Sequence, residues 1–251
     1  VDWGIASTNA SLKVFRLNAQ GCSSDTTTLP IIINQRLQTV RPTGPGDIVA
    51  VLMKNSTAFL EIAFATSHVG AVLLPINYRL SEEEVAYIVG NAGVRLLFAD
   101  DELLTQAGSG CTVIAVDASA QDDMHHLTGD ALPVPAVARR TEDLLRLMYT
   151  SGTTDRPKGV LHSYENFYWK CAAHAVELEL TSDTRLLVAL PLYHVGAFDL
   201  PGIAVLWSGG TICLYREFDA PAVLAAIARE RITCAAMVPV MTGMLLGCAD
   251  R

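Results

Sequence analysis

The chain reads as an α/β protein built from mainly parallel, twisted sheets flanked by helices. Three observations predict this class. Short β-rich apolar runs recur along the sequence, amphipathic stretches of helical length separate them, and Ser or Asp stands where several of those helices would begin. The runs are Ile48 to Met53, Ala71 to Ile76, Val94 to Ala99, Val113 to Val116, Leu144 to Tyr149, Leu186 to Leu190, Thr211 to Tyr215 and Cys234 to Val238. Such short runs alternating with amphipathic stretches are how a parallel sheet with crossover helices reads.

The helical stretches are justified one by one. Ser81-Glu82-Glu83-Glu84 is a capping box, and the helix it opens runs to about Val89. Ser163 is placed to cap a helix passing through Tyr168, Cys171 and Ala175. Asp219 to Arg231 reads as a third, with Val223, Leu224, Ile227 and Ala228 on one face. Residues 118–141 carry Asp, His, Gly and Pro without periodicity and read as an exposed connector between two subdomains; residues 1–41 are poorly patterned. His125 and His126 lie in the connector without further ligands at metal-site spacing, so they read as solvated loop histidines, and no metal ligand is assigned.

Composition narrows the function classes. At 251 residues and 51% hydrophobic content the chain can bury a large core. A net charge of −8 with no Lys/Arg cluster disfavours a nucleic-acid surface; local positive charge is limited mainly to Arg156 and Lys158. The most apolar windows are interrupted by Asp199, Pro201 and Gly202 before they reach about 18 residues, so no membrane span is expected. Six cysteines, Cys22, Cys111, Cys171, Cys213, Cys234 and Cys248, form no C-x-x-C pair and lie mostly in apolar segments, as reduced core thiols do. That cysteine usage makes a cytoplasmic setting the expectation, and no basic segment leads into an apolar one near Val1, so no intact signal peptide is expected.

The chemistry concentrates in residues 149–160, Tyr-Thr-Ser-Gly-Thr-Thr-Asp-Arg-Pro-Lys-Gly-Val. They follow the apolar run from Leu144, so they leave the end of a buried strand, where open α/β sheets place their ligands. Gly152 and Gly159 permit tight turns and close approach of backbone N–H groups to an anion. Thr150, Ser151, Thr153 and Thr154 add hydroxyl donors, and Lys158 adds a mobile cation. Polyphosphate is the ligand that uses this combination. The spacing is not that of a Walker A loop, because Pro157 stands five residues after Gly152 and Lys158 precedes Gly159, which disfavours a P-loop kinase or ATPase.

This segment resembles the Thr-Ser-Gly-Thr-Thr-x-x-Pro-Lys-Gly-Val signature of the adenylate-forming superfamily, which includes acyl-CoA synthetases, aryl-CoA ligases, luciferases and peptide-synthetase adenylation domains. Asp155 departs from it, standing where Gly is common. Two further segments carry the resemblance. Gly46 to Asn55, Gly70 to Leu80 and Glu83 to Ile88 look like the early core of the acyl-CoA ligase branch, where they form a strand, helix, strand unit. Leu190-Pro191-Leu192-Tyr193-His194 resembles the Pro-Leu-x-His segment that follows the phosphate loop in these ligases.

The resemblance implies ATP-dependent activation of a carboxylic acid to an acyl-adenylate, then transfer to CoA. ATP, Mg2+ and CoA are the implied cofactors and co-substrates, with the magnesium ligands largely outside this chain. His194 is implied as the catalytic residue between the activation site and the thiol entrance, and Val195, Gly196, Ala197 and Phe198, with Met237, Val238 and Pro239 at the next strand-to-helix corner, as walls of an acyl pocket. It covers residues 42–251 and implies an incomplete N-terminal adenylation domain without the small C-terminal domain, whose missing remainder would be a partner. The isolated chain is accordingly expected to be inactive as a ligase. Two alternatives stay open: transfer of the acyl group to an amine or a carrier-protein thiol, and a non-catalytic nucleotide- or acyl-binding fragment.

Overall fold

A computed structural model describes residues 42–116, 136–150 and 156–249, together with the backbone of two strands at 14–18 and 21–25. The strands β1 (Val14–Asn18) and β2 (Gly21–Asp25) lie within the stretch that sequence left unpatterned. They are followed by β3 (Ile48–Leu52), α1 (Thr57–His68), β4 (Val72–Pro75), α2 (Glu82–Ala92), β5 (Leu96–Asp100) and β6 (Thr112–Val116). Next come β7 (Leu144–Thr150), β8 (Lys158–Ser163), α3 (Tyr164–Glu177), β9 (Arg185–Val188) and β10 (Thr211–Leu214). The helix α4 (Ala220–Arg229), the short strand β11 (Cys234–Ala235) and α5 (Pro239–Ala249) complete the order. All of the predicted apolar runs therefore contain strands.

The chain divides into two compact units that are discontinuous in sequence: Lys54–Thr57 joins the second unit, and the last division falls after Phe167, inside α3, not at the expected connector. Of the expected connector, residues 136–141 are described and belong to the first unit, and the rest lies outside the described residues.

The first unit holds a six-stranded sheet in the order β6-β5-β3-β4-β7-β8, parallel throughout except for the final antiparallel pair. Val49 to Leu52 and Leu96 to Ala99 are all fully buried, which is why these strands read as continuous apolar runs and not as alternating ones. One sheet face packs Ala50, Leu52, Val72 and Leu74 against Val85, Ile88 and Val89 of α2. That helix starts as the capping box requires: Glu84 N–H donates to Ser81 Oγ at 3.3 Å while Ser81 N–H donates to Glu84 Oε2 at 2.8 Å. It ends on Gly93, whose φ of 67° is the left-handed conformation that glycine adopts without a Cβ penalty. Helix α1 has no clean apolar stripe, because Phe59, Leu60, Ile62, Ala63 and Thr66 are buried around most of its circumference.

The second unit holds a five-stranded sheet in the order β11-β9-β10-β1-β2, parallel except for the β1–β2 pair. Its core joins Leu187 and Cys213 to Val223 and Ala226 of α4 and Met241 and Leu245 of α5. Asp219 caps α4 as expected, accepting from the Ala222 N–H at 2.8 Å. The buried face of α4 is Ala220, Val223 and Ala226, with Ile227 half-buried; Leu224 and Ala228, expected on that face, are exposed. The face is set by how α4 rests on the sheet, and small alanines there permit a close approach that a count of large apolar residues does not register. Ser163 also caps as expected: it accepts from Asn166 N–H at 3.2 Å and donates its own N–H to Asn166 Oδ1 at 2.9 Å. Among the described residues no helix is long and apolar enough to cross a membrane.

Candidate nucleotide and acyl sites

In the first unit, β7 emerges from the sheet parallel to β4 and ends at Thr150, so the phosphate segment does leave a strand's C-terminal end. Its second half is not loop. Residues from Lys158 to Ser163 form β8, antiparallel to β7, with Thr150 paired to Lys158 and Tyr149 to Gly159. The segment is thus the end of a β-hairpin at the sheet's edge. Lys-Gly-Val-Leu-His-Ser carries too little strand signal alone, and β7 supplies the pairing that makes it a strand.

This placement gives Gly159 a packing role that sequence did not foresee. A Cβ there would lie 2.8 Å from Leu147 Cδ1 and 3.5 Å from Tyr149 Cζ, so the cross-strand side chains occupy its space. Thr150 and Lys158 are exposed beside one another at the turn end of the hairpin, and Lys158 has no ion pair among the described residues. Among the described residues neither group has a protein partner to be released, and an ammonium beside a hydroxyl suits an anion such as phosphate. Ser151, Gly152, Thr153, Thr154 and the divergent Asp155 lie outside the described residues, as do His125 and His126.

Arg146 is the largest fully buried side chain of the described residues. Its Nη2 lies 3.0 Å from His162 Nδ1 across the β7–β8 pair, and its guanidinium sits 4.6 Å from the Phe167 ring centroid. A charge inside an apolar run was invisible to the periodicity argument. Its planar guanidinium tolerates this burial by stacking on an aromatic face.

In the second unit, the residues after β9 are held by one side chain. Asn55, 4% exposed, donates through Nδ2 to the carbonyls of Leu190 at 2.8 Å and Tyr215 at 2.9 Å, and its Oδ1 accepts from Leu192 N–H at 2.7 Å. It fixes the backbone that leads into His194. Sequence reading passed over it, and the available signal was a lone Asn directly after an apolar strand. His194 is exposed and accepts from Gly196 N–H through Nδ1 at 3.1 Å, which leaves the proton of the neutral ring on Nε2.

The predicted pocket residues separate. Gly196 and Ala197 line a narrow apolar crevice with Leu190, Leu200, Pro201 and Ala236, closed to a water-sized probe in this structure. Phe198 is buried, Val195 is half-buried, and Met237 packs into the core of this unit. Val238 and Pro239 are exposed at the start of α5, so the strand-to-helix corner exists as expected. Gly202 shapes the turn beyond Phe198, since a Cβ there would collide with the Ala197 carbonyl.

Asp199, 1% exposed, pairs with Lys170 at 3.4 Å. Burial, with Asp199 adding to it, pushes the Cys171 thiol up to about 11, and burial does the same to Cys213. Those two cysteines, with Cys111, Cys234 and Cys248, are free thiols. Among the described residues no group of three His, Cys, Asp or Glu side chains is arranged to hold a metal ion.

A mainly parallel α/β sheet with a Thr/Gly/Lys segment at a strand's C-terminal end is the arrangement expected of a nucleotide-binding protein, and comparison with known proteins narrows the class. Residues 36–251 match the AMP-binding enzyme family, to which the chain therefore belongs. It is 38% identical to a feruloyl-CoA synthase of an Amycolatopsis species over 202 residues, covering 78% of this chain and 39% of that enzyme. It is 35% identical to the indoleacetate–CoA ligase of Aromatoleum aromaticum over 211 residues, covering 79% of this chain and 41% of that enzyme. The crystal structure of ATP-bound MatB from Rhodopseudomonas palustris superposes with a TM-score of 0.82 at 25% identity, covering 96% of this chain and 48% of that one. The chain thus spans about two fifths of the length of the curated relatives it matches.

Proposed function

We propose that this chain supplies the ATP-phosphate and acyl-side elements of an acid–thiol ligase that converts a carboxylic acid and ATP to an acyl-adenylate and passes the acyl group to CoA. The observation that carries the reading is the Thr150-to-Gly159 signature at the end of a hairpin in a chain of the AMP-binding enzyme family. Relatives named as CoA ligases favour CoA over an amine or a carrier-protein thiol as acceptor.

In this reading Lys158 and the hydroxyl of Thr150 hold the β- and γ-phosphates, stabilising the charge that builds on pyrophosphate as the carboxylate attacks the α-phosphorus. Ser151, Gly152, Thr153 and Thr154 complete the donors. Magnesium, when bound, neutralises the same charge. His194 stands beside the acyl side, where its Nε2 proton is available to a carboxylate or adenylate oxygen. Gly196 and Ala197 form one wall of the acyl site, and Val195, Phe198, Met237, Val238 and Pro239 surround it.

The test is acid-dependent ATP–pyrophosphate exchange by the full-length protein over aliphatic and aromatic acids, then trapping of the acyl-adenylate and supply of CoA, holo-carrier protein or amines. Thioester formation with CoA alone supports the proposal. Exchange followed by transfer only to an amine or carrier moves the protein to that branch, and phosphate release without any acid overturns the ligase reading.

A further inference from the structure

One helix touches both arms of the hairpin. Tyr149, the penultimate residue of β7, donates its hydroxyl to Asn91 Oδ1 at 2.5 Å. On the returning side, the Arg156 guanidinium stacks 5.4 Å from the centroid of the Tyr87 ring. Tyr87 and Asn91 are four residues apart on α2, so both project from one face of the helix, one turn apart.

The platform beneath them is rigid. Helix α2 is locked by the Ser81–Glu84 box at its start and the Gly93 cap at its end, and Val85, Ile88 and Val89 anchor it in the core. The hairpin it supports lies at the sheet's edge, because among the described strands β8 is the last of its sheet and pairs with β7 alone. Val160 and Leu161 of β8 are 41% and 57% exposed, so little core packing fixes this arm. Two-stranded ends of this kind twist and fray unless side chains tie them down.

We propose that Tyr87 and Asn91 are positioning residues for nucleotide polyphosphate: by holding Arg156 and Tyr149 they fix against α2 the turn end of the paired arms that present Thr150 and Lys158. This rests on the assignment of the hairpin to ATP made above. Neither residue touches the phosphates. Stacking on Tyr87 leaves the guanidinium charge and its edge N–H groups intact, so Arg156 keeps the local field positive while its position is set. Burial, reinforced by the neighbouring Tyr87, raises the Tyr149 phenol above its ordinary value, which keeps it protonated as the donor to Asn91.

The experiment measures dissociation constants of ATP and of AMP for the purified full-length protein by calorimetry, with unfolding midpoints alongside. Tyr87→Ala and Asn91→Ala are each expected to weaken ATP about threefold to tenfold, the size of one lost side-chain contact, with AMP changed by less than about twofold. Tyr87→Phe keeps the ring face and should restore wild-type ATP affinity. Asn91→Ala combined with Tyr149→Phe should be no weaker than either alone, since both remove one hydrogen bond. Asn91 is exposed and Ala is the better helix former, so that variant does not threaten folding.

Equal losses for ATP and AMP would mark a merely structural role and overturn the proposal. So would unchanged ATP affinity in Tyr87→Ala and Asn91→Ala when Lys158→Ala weakens ATP, a result that leaves the phosphate assignment standing. If Lys158→Ala has no effect, or the wild-type protein does not bind ATP, the phosphate assignment itself falls and this proposal falls with it.

Discussion

The two units position their candidate residues in opposite ways. In the first, the phosphate hairpin continues a regular sheet and is steadied by several surface contacts, Tyr149 with Asn91 and Arg156 with Tyr87 among them. In the second, the backbone before His194 follows no regular element, and one buried Asn55 ties together chain segments 135 to 160 residues away in sequence. The lesson is one of concentration: regular structure distributes positional control over many weak contacts, whereas an irregular segment depends on a few buried hydrogen bonds. Damage in the first unit should therefore be graded, and in the second abrupt.

The sharpest way to break this contrast is Asn55→Ala. It leaves two carbonyls and one N–H without their partner, and the expected loss is on the order of 3 to 5 kcal/mol, read from urea unfolding, with faster hydrogen exchange at Leu192. A loss under about 1 kcal/mol would show that water or neighbours replace Asn55, and the contrast would disappear.

Lys158→Ala addresses function in the first unit. A charge-assisted contact to phosphate is worth about 1.5 to 3 kcal/mol, so pyrophosphate exchange or ATP affinity should fall about 10- to 150-fold. Stability should change by less than about 0.5 kcal/mol, because the side chain is exposed. Unchanged nucleotide kinetics in a folded variant would remove Lys158 from the site.

A smaller effect is expected for Gly159→Ala. The new methyl meets the end of the Leu147 side chain, which can shift, so the cost should be about 1 to 2 kcal/mol in thermal or urea unfolding. A cost above about 4 kcal/mol would mean that the hairpin tolerates no adjustment and is not the graded element described here.

The capping box of α2 supplies the smallest test. Ser81→Ala should cost about 1 kcal/mol. The Glu84 carboxyl is held below its ordinary value first by the hydrogen bond from the Ser81 backbone and then by the Ser81 hydroxyl. Its contribution is therefore present above the unfolded-state pKa and is lost as pH falls through the lower folded value. Midpoints measured between about pH 3 and 6 should show a component that Glu84→Gln flattens; an identical profile in both proteins would remove this box as a source of pH dependence.

Legibility followed the range of the interactions. The caps at Ser81 and Ser163 were readable because a cap and its partner lie three residues apart, and the runs holding β3, β4 and β5 were readable because burial on both faces leaves a continuous signature. The phosphate signature was readable as chemistry, but its shape was not. Only the register of Thr150 against Lys158 shows that Gly159 belongs to a strand and answers to Leu147 and Tyr149.

By itself, then, the sequence determined the α/β class, the strands from residue 48 onward, several helix starts and the family signature at residues 149–160, because each is written in residues close together along the chain. The tertiary structure alone decided that α4 buries Ala226 and not Leu224, that Arg146 lies within the first unit's core, that the unit boundary falls in α3, and that Asn55 governs the approach to His194. Each of these depends on which distant groups fill a residue's surroundings, and a buried polar side chain gains its meaning only from the partners the fold brings to it.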